Sequence, residues 1–198
     1  AIAGRSESKL AEVATATGAD VPRLVADAVD GDAMAALAAS TAVVASTVGP
    51  YAKYGSALVG AVAAAGTDYC DLTGEAQWMR AMIDEHHESA RASGARIVHS
   101  CGFDSIPFDV GVTFAQEEAL TRLGAPLQRV RGRVRKMKGG FSGGTMASAM
   151  ATYEAIGRDP GLARTLADPF ALTPGFRGPP QPDEHGAPAL PLLEVEAV

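Results

Sequence analysis

The chain has 198 residues, 47% of them hydrophobic, and a formal net charge of −6 at pH 7. That length carries one substantial core, or one domain and part of a second, and the acidic balance argues against a nucleic-acid or anionic-membrane partner for the chain as a whole. No stretch reaches the roughly 18 apolar residues that open a transmembrane reading.

The longest apolar approach is Ala57 to Gly66, and no secretory-signal pattern is present. Cys70 and Cys101 lack metal-ligand spacing and read as free thiols of a reducing compartment. A cytoplasmic location is the expectation.

Taken in order, Ala1 to Ala3 has the pattern of a strand's end, with no initiator Met before it. The expectation is a piece whose preceding element lies upstream. A helix follows from Glu7 to Thr17, with Ser6 as N-cap and Gly18 as its stop. Val21 to Ala26 reads as a short strand ending at Asp27. Asp30-Gly31-Asp32 opens a helix with Met34 and Leu37 on its apolar face. Ala42 to Ala45 is a buried strand that stops at Ser46-Thr47-Val48-Gly49-Pro50, and a helix runs from about Lys53 to Ala65.

Thr67 to Asp71 is a further strand. Thr73-Gly74-Glu75 starts a long helix to Ser93 whose buried side carries Met79, Met82, Ile83 and His86. Ala95 to Ser100 is a strand again, and Ser105 and Pro107 start a helix to Leu123, closed by Gly124. Strand–helix alternation with short connections predicts an α/β fold, a Rossmann-like parallel sheet over residues 1–125 with its first βα unit missing.

The pattern changes at 124–127. Gln128 to Lys138 alternates with period two, Arg129, Arg131, Arg133 and Arg135 sharing one side, and a helix runs from Met146 to Ile156. This reads as the start of an α+β substrate or dimerisation domain over 126–198, so a homodimer is expected. From about 158 the Pro-rich tail reads as loop and partly disordered.

In open α/β sheets ligands bind outside the carboxyl ends of the strands. The Thr47, Val48, Gly49, Pro50 turn sits at such an end, where small residues let backbone approach a flat ligand. Arg5 and Ser6 open a helix where a dinucleotide fold meets the adenosine phosphate, an arginine there favouring NADP. Asp27 reaches the adenine edge or simply forms a turn.

Tyr51, Asp71, Glu75, Cys101, Phe103 and Asp104 occupy strand-end loops of one rim and are candidates for a substrate pocket, as is Ser142 in a glycine-rich turn at 139–144. Tyr51, Tyr54 and Asp104 are the candidate proton donors opposite a hydride. For the aspartates the plain alternative is capping; for Cys101 it is a small buried hydrophobe, since no activating neighbour is evident. His86 and His87 point to different sides of one helix, and no metal site is expected. The arginine alternation reads as one solvated strand face.

The strings AGRS at 3–6, STVGPYAKYG at 46–55, GTDYCDLTGE at 66–75, ARIVHSCGFDSIPFDVG at 95–111 and KGGFSGGTMAS at 138–148 resemble the saccharopine dehydrogenase-like oxidoreductases, and among them the actinobacterial trans-acting enoyl reductases. The resemblance runs from residue 1 to about 157. It implies an NADP-linked Rossmann domain followed by an α+β domain. It also implies reduction of an enoyl double bond on a polyketide- or fatty-acyl-derived lipid, in trans to the synthase, on a substrate that a carrier can present. Hydride would go to the β-carbon and a proton to the α-carbon.

The resemblance places Arg5 and Ser6 on the adenosine phosphate and the 47–50 turn beside the nicotinamide or pyrophosphate. It places the phosphate loop just upstream of Ala1. Without the strand that carries that loop, these residues are expected to bind a dinucleotide weakly and to leave two strands without a neighbour between them. The rival expectation is a non-catalytic dinucleotide-binding or membrane-associated scaffold, peripheral to the plasma membrane, or an inactive fragment.

Overall fold

The computed structural model describes residues 1–177 apart from positions 131, 133, 135, 137 and 141. The first helix forms where a cap and a stop bracket an alanine-rich run. α1 (Glu7–Thr17) starts at Ser6, whose hydroxyl accepts from the Lys9 amide at 3.4 Å, and ends at Gly18 in the left-handed conformation. It joins β1 (Ile2–Gly4) to β2 (Arg23–Val25). Asp30 caps α2 (Gly31–Ala39) in the same manner, accepting from the amides of Asp32 and Ala33. β3 (Val43–Ser46), α3 (Tyr51–Tyr54), α4 (Ser56–Ala65) and β4 (Asp68–Asp71) follow, then α5 (Ala76–Ser93), β5 (Ile97–Val98) and α6 (Ile106–Leu123).

All strand pairings are parallel. Ile2 lies opposite Arg23, Val43 opposite Asp68, and Tyr69 opposite Ile97. They form two sheets, β1-β2 and β3-β4-β5, and no ladder joins the two among the described residues.

The core lies where α2, α4 and α5 meet β4: Met34 and Ala38, Val59 and Val62, Trp78 and Met82, with Tyr69 beneath them. Each large apolar side chain sealed there contributes about 1.5–3 kcal/mol relative to exposure. By contrast α6 leaves Val110, Phe114 and Leu123 exposed.

Three expectations need correction. The helix expected from Lys53 to Ala65 is two helices, α3 and α4, broken at Gly55. The cause is packing: a Cβ at Gly55 would stand 2.6 Å from Trp78 Cζ2 and 2.9 Å from the Tyr51 carbonyl oxygen. The expected strand at 128–138 shows no strand at its described positions, and Arg131, Arg133 and Arg135 lie outside the described residues. The segment after 158, read as loop, holds α8 (Gly161–Ala167), which follows α7 (Gly143–Arg158). Pro160 starts α8 instead of breaking it, because a proline's missing N–H costs nothing at a helix's first turn. The rest of the expected tail, 178–198, lies outside the described residues.

Candidate functional site

Three strand ends and one helix start converge on a cleft of about 540 Å³. Thr47, Gly49 and Tyr51 come from the turn after β3; Leu72, Gly74 and Glu75 come from the loop after β4. Asp104 comes from the loop after β5, and Ser142, Gly144, Thr145 and Ser148 from the first turns of α7. Parallel pairing of β3, β4 and β5 puts their carboxyl ends on one side, which is where such sheets bind ligands.

Glu75 holds these parts together. It occupies the N-cap position of α5, yet its carboxylate makes no capping bond to that helix. Instead Oε1 accepts from the Tyr51 amide at 2.7 Å and Oε2 from the Ala52 amide at 2.9 Å. These are the first two N–H groups of α3, so the charge sits where a helix start favours an anion. Oε1 also accepts from the Ser148 hydroxyl at 2.8 Å, tying α7 to the rim. The residue is 2% exposed. A second tie between α5 and α7 is the Gln77 side-chain amide donating to Thr152 at 2.9 Å.

Tyr51 is a strut. Its hydroxyl donates to the Ser46 carbonyl at 3.1 Å and accepts from the Leu72 amide at 3.4 Å, and its ring packs on Trp78 with centroids 5.5 Å apart. Burial, with Asp71 and Glu75 nearby, pushes its phenol up from the ordinary value despite the Leu72 amide. That hydroxyl is committed to the fold. Tyr54 does not line this cleft; Lys53 Nζ lies 5.0 Å from its ring centroid. Asp104 is exposed at the rim, with no hydrogen bond or ion pair among the described residues.

Asp71 does not face the cleft. Its side chain is sealed and accepts from His99 Nδ1 at 2.7 Å and from the amides of Thr73 and Ser100, each at 3.0 Å. Burial alone would raise its pKa; the bonds from His99 and the two amides outweigh that and hold it below the usual carboxylate range. Above it, Tyr69 is fully buried with its hydroxyl among Asp71, Ser46 and Tyr51 but without a well-formed hydrogen bond, and burial drives its pKa far up.

Cys101 also points away from the cleft. Its thiol lies near the Val98 and His99 carbonyls, and burial raises its pKa, so it is no ready nucleophile. Phe103 is 73% exposed and Val48 is exposed beside the turn, while Pro50 makes the turn's cis bond. Arg5, Ser6 and Asp27 cluster at the carboxyl ends of β1 and β2, outside this cleft. Arg5 is exposed and unpaired among the described residues; Asp27 accepts from the Val29 amide at 3.2 Å, as a turn former does.

Sequence reasoning missed Trp78, Ser148 and the Asp71–His99 pair. Trp78 falls on the buried stripe of α5 one residue before Met79, a signal that was available. The pairing of residues 28 positions apart carries no spacing rule.

Fold and site together define an open α/β protein of parallel strands with a ligand cleft at their carboxyl ends. Among curated proteins, the chain is 46% identical over 191 residues to a Mycobacterium tuberculosis H37Rv protein carried under the provisional name of trans-acting enoyl reductase, a match covering 92% of this chain and 45% of that protein. It is 40% identical over 177 residues to the trans-acting enoyl reductases of Mycobacterium leprae (strain TN) and Mycobacterium bovis (strain BCG / Pasteur 1173P2), covering 87% of this chain and 42% of each. The chain thus spans less than half the length of these relatives. No family model matches it. No helix among the described residues is long and apolar enough to cross a membrane.

Proposed function

We propose that this chain supplies the dinucleotide-binding part, and the beginning of the substrate part, of an NADPH-dependent oxidoreductase of the saccharopine dehydrogenase-like kind. It reduces an enoyl double bond of a polyketide- or fatty-acyl-derived lipid intermediate in trans. The observation that carries this reading is the convergence of Thr47, Gly49, Glu75, Asp104 and Ser142 on one cleft at three parallel strand ends. The names of the mycobacterial relatives support the enoyl chemistry.

The residues present fit the cofactor. Arg5, exposed and unpaired among the described residues, is a guanidinium at a strand's carboxyl end, suited to a 2′-phosphate, and Ser6 opens the adjoining helix. Thr47 to Pro50 would flank the nicotinamide or pyrophosphate. Bound NADPH would supply the hydride for the β-carbon. Asp104 is the carboxyl group left free at the cleft to handle the α-carbon's proton, since the Tyr51 hydroxyl is already engaged.

The test is titration with NADPH and NADH, comparing the wild-type chain with Arg5→Ala. NADPH should bind more tightly than NADH. Arg5→Ala should remove about tenfold of that preference, the worth of one charge-assisted hydrogen bond. Equal affinity for both nucleotides would overturn the NADPH assignment. Loss of NADPH absorbance with a panel of enoyl thioesters then separates an enzyme from a scaffold: binding without turnover across the panel sinks the catalytic reading.

A further inference from the structure

A second cavity, of about 310 Å³, lies against α4, α5 and β5, and none of its walls belongs to the cleft. Its apolar lining is Val59, Met82, Ile83, Ala90 and Ile97. Of the polar side chains in its lining, His86, His87, Arg91 and His99, the last is the most buried. His99 is 10% exposed at its side chain, with Nδ1 fixed on the sealed Asp71 carboxylate.

The imidazole is unusually well determined. Trp78 and Tyr69 meet it edge-on, at centroid distances of 5.1 and 5.9 Å. The next residue, Ser100, is held at φ 59°, a left-handed conformation that costs a non-glycine residue about 1–2 kcal/mol. Two bonds enforce it: the Ser100 amide to Asp71, and the Ser100 hydroxyl to the Thr73 carbonyl at 2.7 Å. With Nδ1 held on Asp71 at 2.7 Å, Nε2 is the ring nitrogen left for a ligand. Nε2 has no hydrogen-bond partner among the described residues and, unlike the Tyr69 hydroxyl, is not sealed.

We propose that this cavity is a binding site for a small uncharged molecule with an apolar body and one hydroxyl head, an alcohol or phenol, whose hydroxyl, able to donate or to accept, hydrogen-bonds to His99 Nε2. Charge decides against an acid. The basic groups at the mouth already have acidic neighbours: His86 faces Glu85 at 3.8 Å, His87 faces Glu88 at 4.0 Å, and Arg91 pairs with Glu88 at 3.0 Å. His99 likewise has the Asp71 carboxylate beside it, at 2.7 Å. No metal cluster forms from these histidines among the described residues. The cavity's volume matches on the order of ten water molecules, at about 30 Å³ each, room for a small molecule only.

The experiment uses 1-hexanol and 4-ethylphenol as probes, with hexanoate as the charged control, followed by NMR of the Met82 methyl group and the His99 ring nitrogens. Either uncharged probe should shift both signals at saturable concentration, with Nε2 moving more than Nδ1, and hexanoate should bind more weakly. His99→Phe keeps an aromatic ring but removes the ring nitrogen, and should weaken binding about fivefold, the equivalent of one neutral hydrogen bond. Ile83→Trp, at a half-exposed wall position, should block the probes while leaving the Asp71–His99 pair intact. Unchanged affinity in His99→Phe, tighter binding of hexanoate, or no saturable shift with either probe would each overturn the assignment. None of these outcomes bears on NADPH binding at the other site.

Discussion

Replacing Glu75 by alanine removes the one acceptor shared by the β3–α3 turn and α7. Three donors lose their partner: the Tyr51 amide, the Ala52 amide and the Ser148 hydroxyl. A hydrogen bond to a charged group contributes about 1.5–3 kcal/mol. The full sum is not expected, because Ala52 is exposed and Ser148 is only half-buried, so water reaches two of the three donors. The Tyr51 amide, beside a residue 4% exposed, bears most of the loss.

The expected cost of Glu75→Ala is therefore about 2–4 kcal/mol, and of Glu75→Gln about 1–2 kcal/mol, since an amide oxygen still serves one side. A domain of ordinary stability, about 5–15 kcal/mol, survives either change. Urea unfolding read by the fluorescence of Trp78, the chain's single tryptophan and a neighbour of Tyr51, gives the number directly. A Glu75→Ala midpoint within error of wild type would refute the claim that this carboxylate organises the rim.

Two further outcomes follow from packing and charge. Gly55→Ala drives a methyl group into Trp78 and the Tyr51 carbonyl, and should destabilise by about 1–3 kcal/mol with a shifted Trp78 emission; an unshifted spectrum and midpoint would contradict it. Asp71 has a folded pKa below its unfolded one, so its stabilisation is full above the unfolded value of about 4 and fades as pH falls through the folded value. The stability difference between wild type and Asp71→Asn should accordingly be flat near neutrality and shrink below about pH 4. A difference that grows on acidification would show the sign to be wrong.

Local chemistry was legible where the signal is local. Ser6 and Gly18 bracket α1, and Gly66, Gly94 and Gly124 each end a helix in the left-handed conformation expected of a C-terminal stop. The strand-end turns were legible too, because glycine, proline and small residues interrupt apolar runs there. What was not legible depends on partners far along the chain. Glu75 was read as opening α5, but its carboxylate serves α3 and α7, 23 to 73 positions away. Asp71 was read as a cleft residue, whereas a histidine at the end of the neighbouring strand turns it inward. The break at Gly55 has a local signal in glycine's low helix propensity, whereas the Trp78 contact that excludes a side chain there has none.

The split between the two sheets sets a gradient of local stability. β1, β2 and α1 pack mainly on one another, and of their side chains only Leu10 and Ala14 are buried. Residues 1–25 therefore form a shallow cooperative unit, expected to exchange its amide hydrogens and to melt before the core around β4. The tip of that unit carries Arg5. A nucleotide gripped there would have to order its own anchor on arrival, so slowed exchange at the amides of residues 2–4 and 23–25 would register occupancy before any chemistry took place.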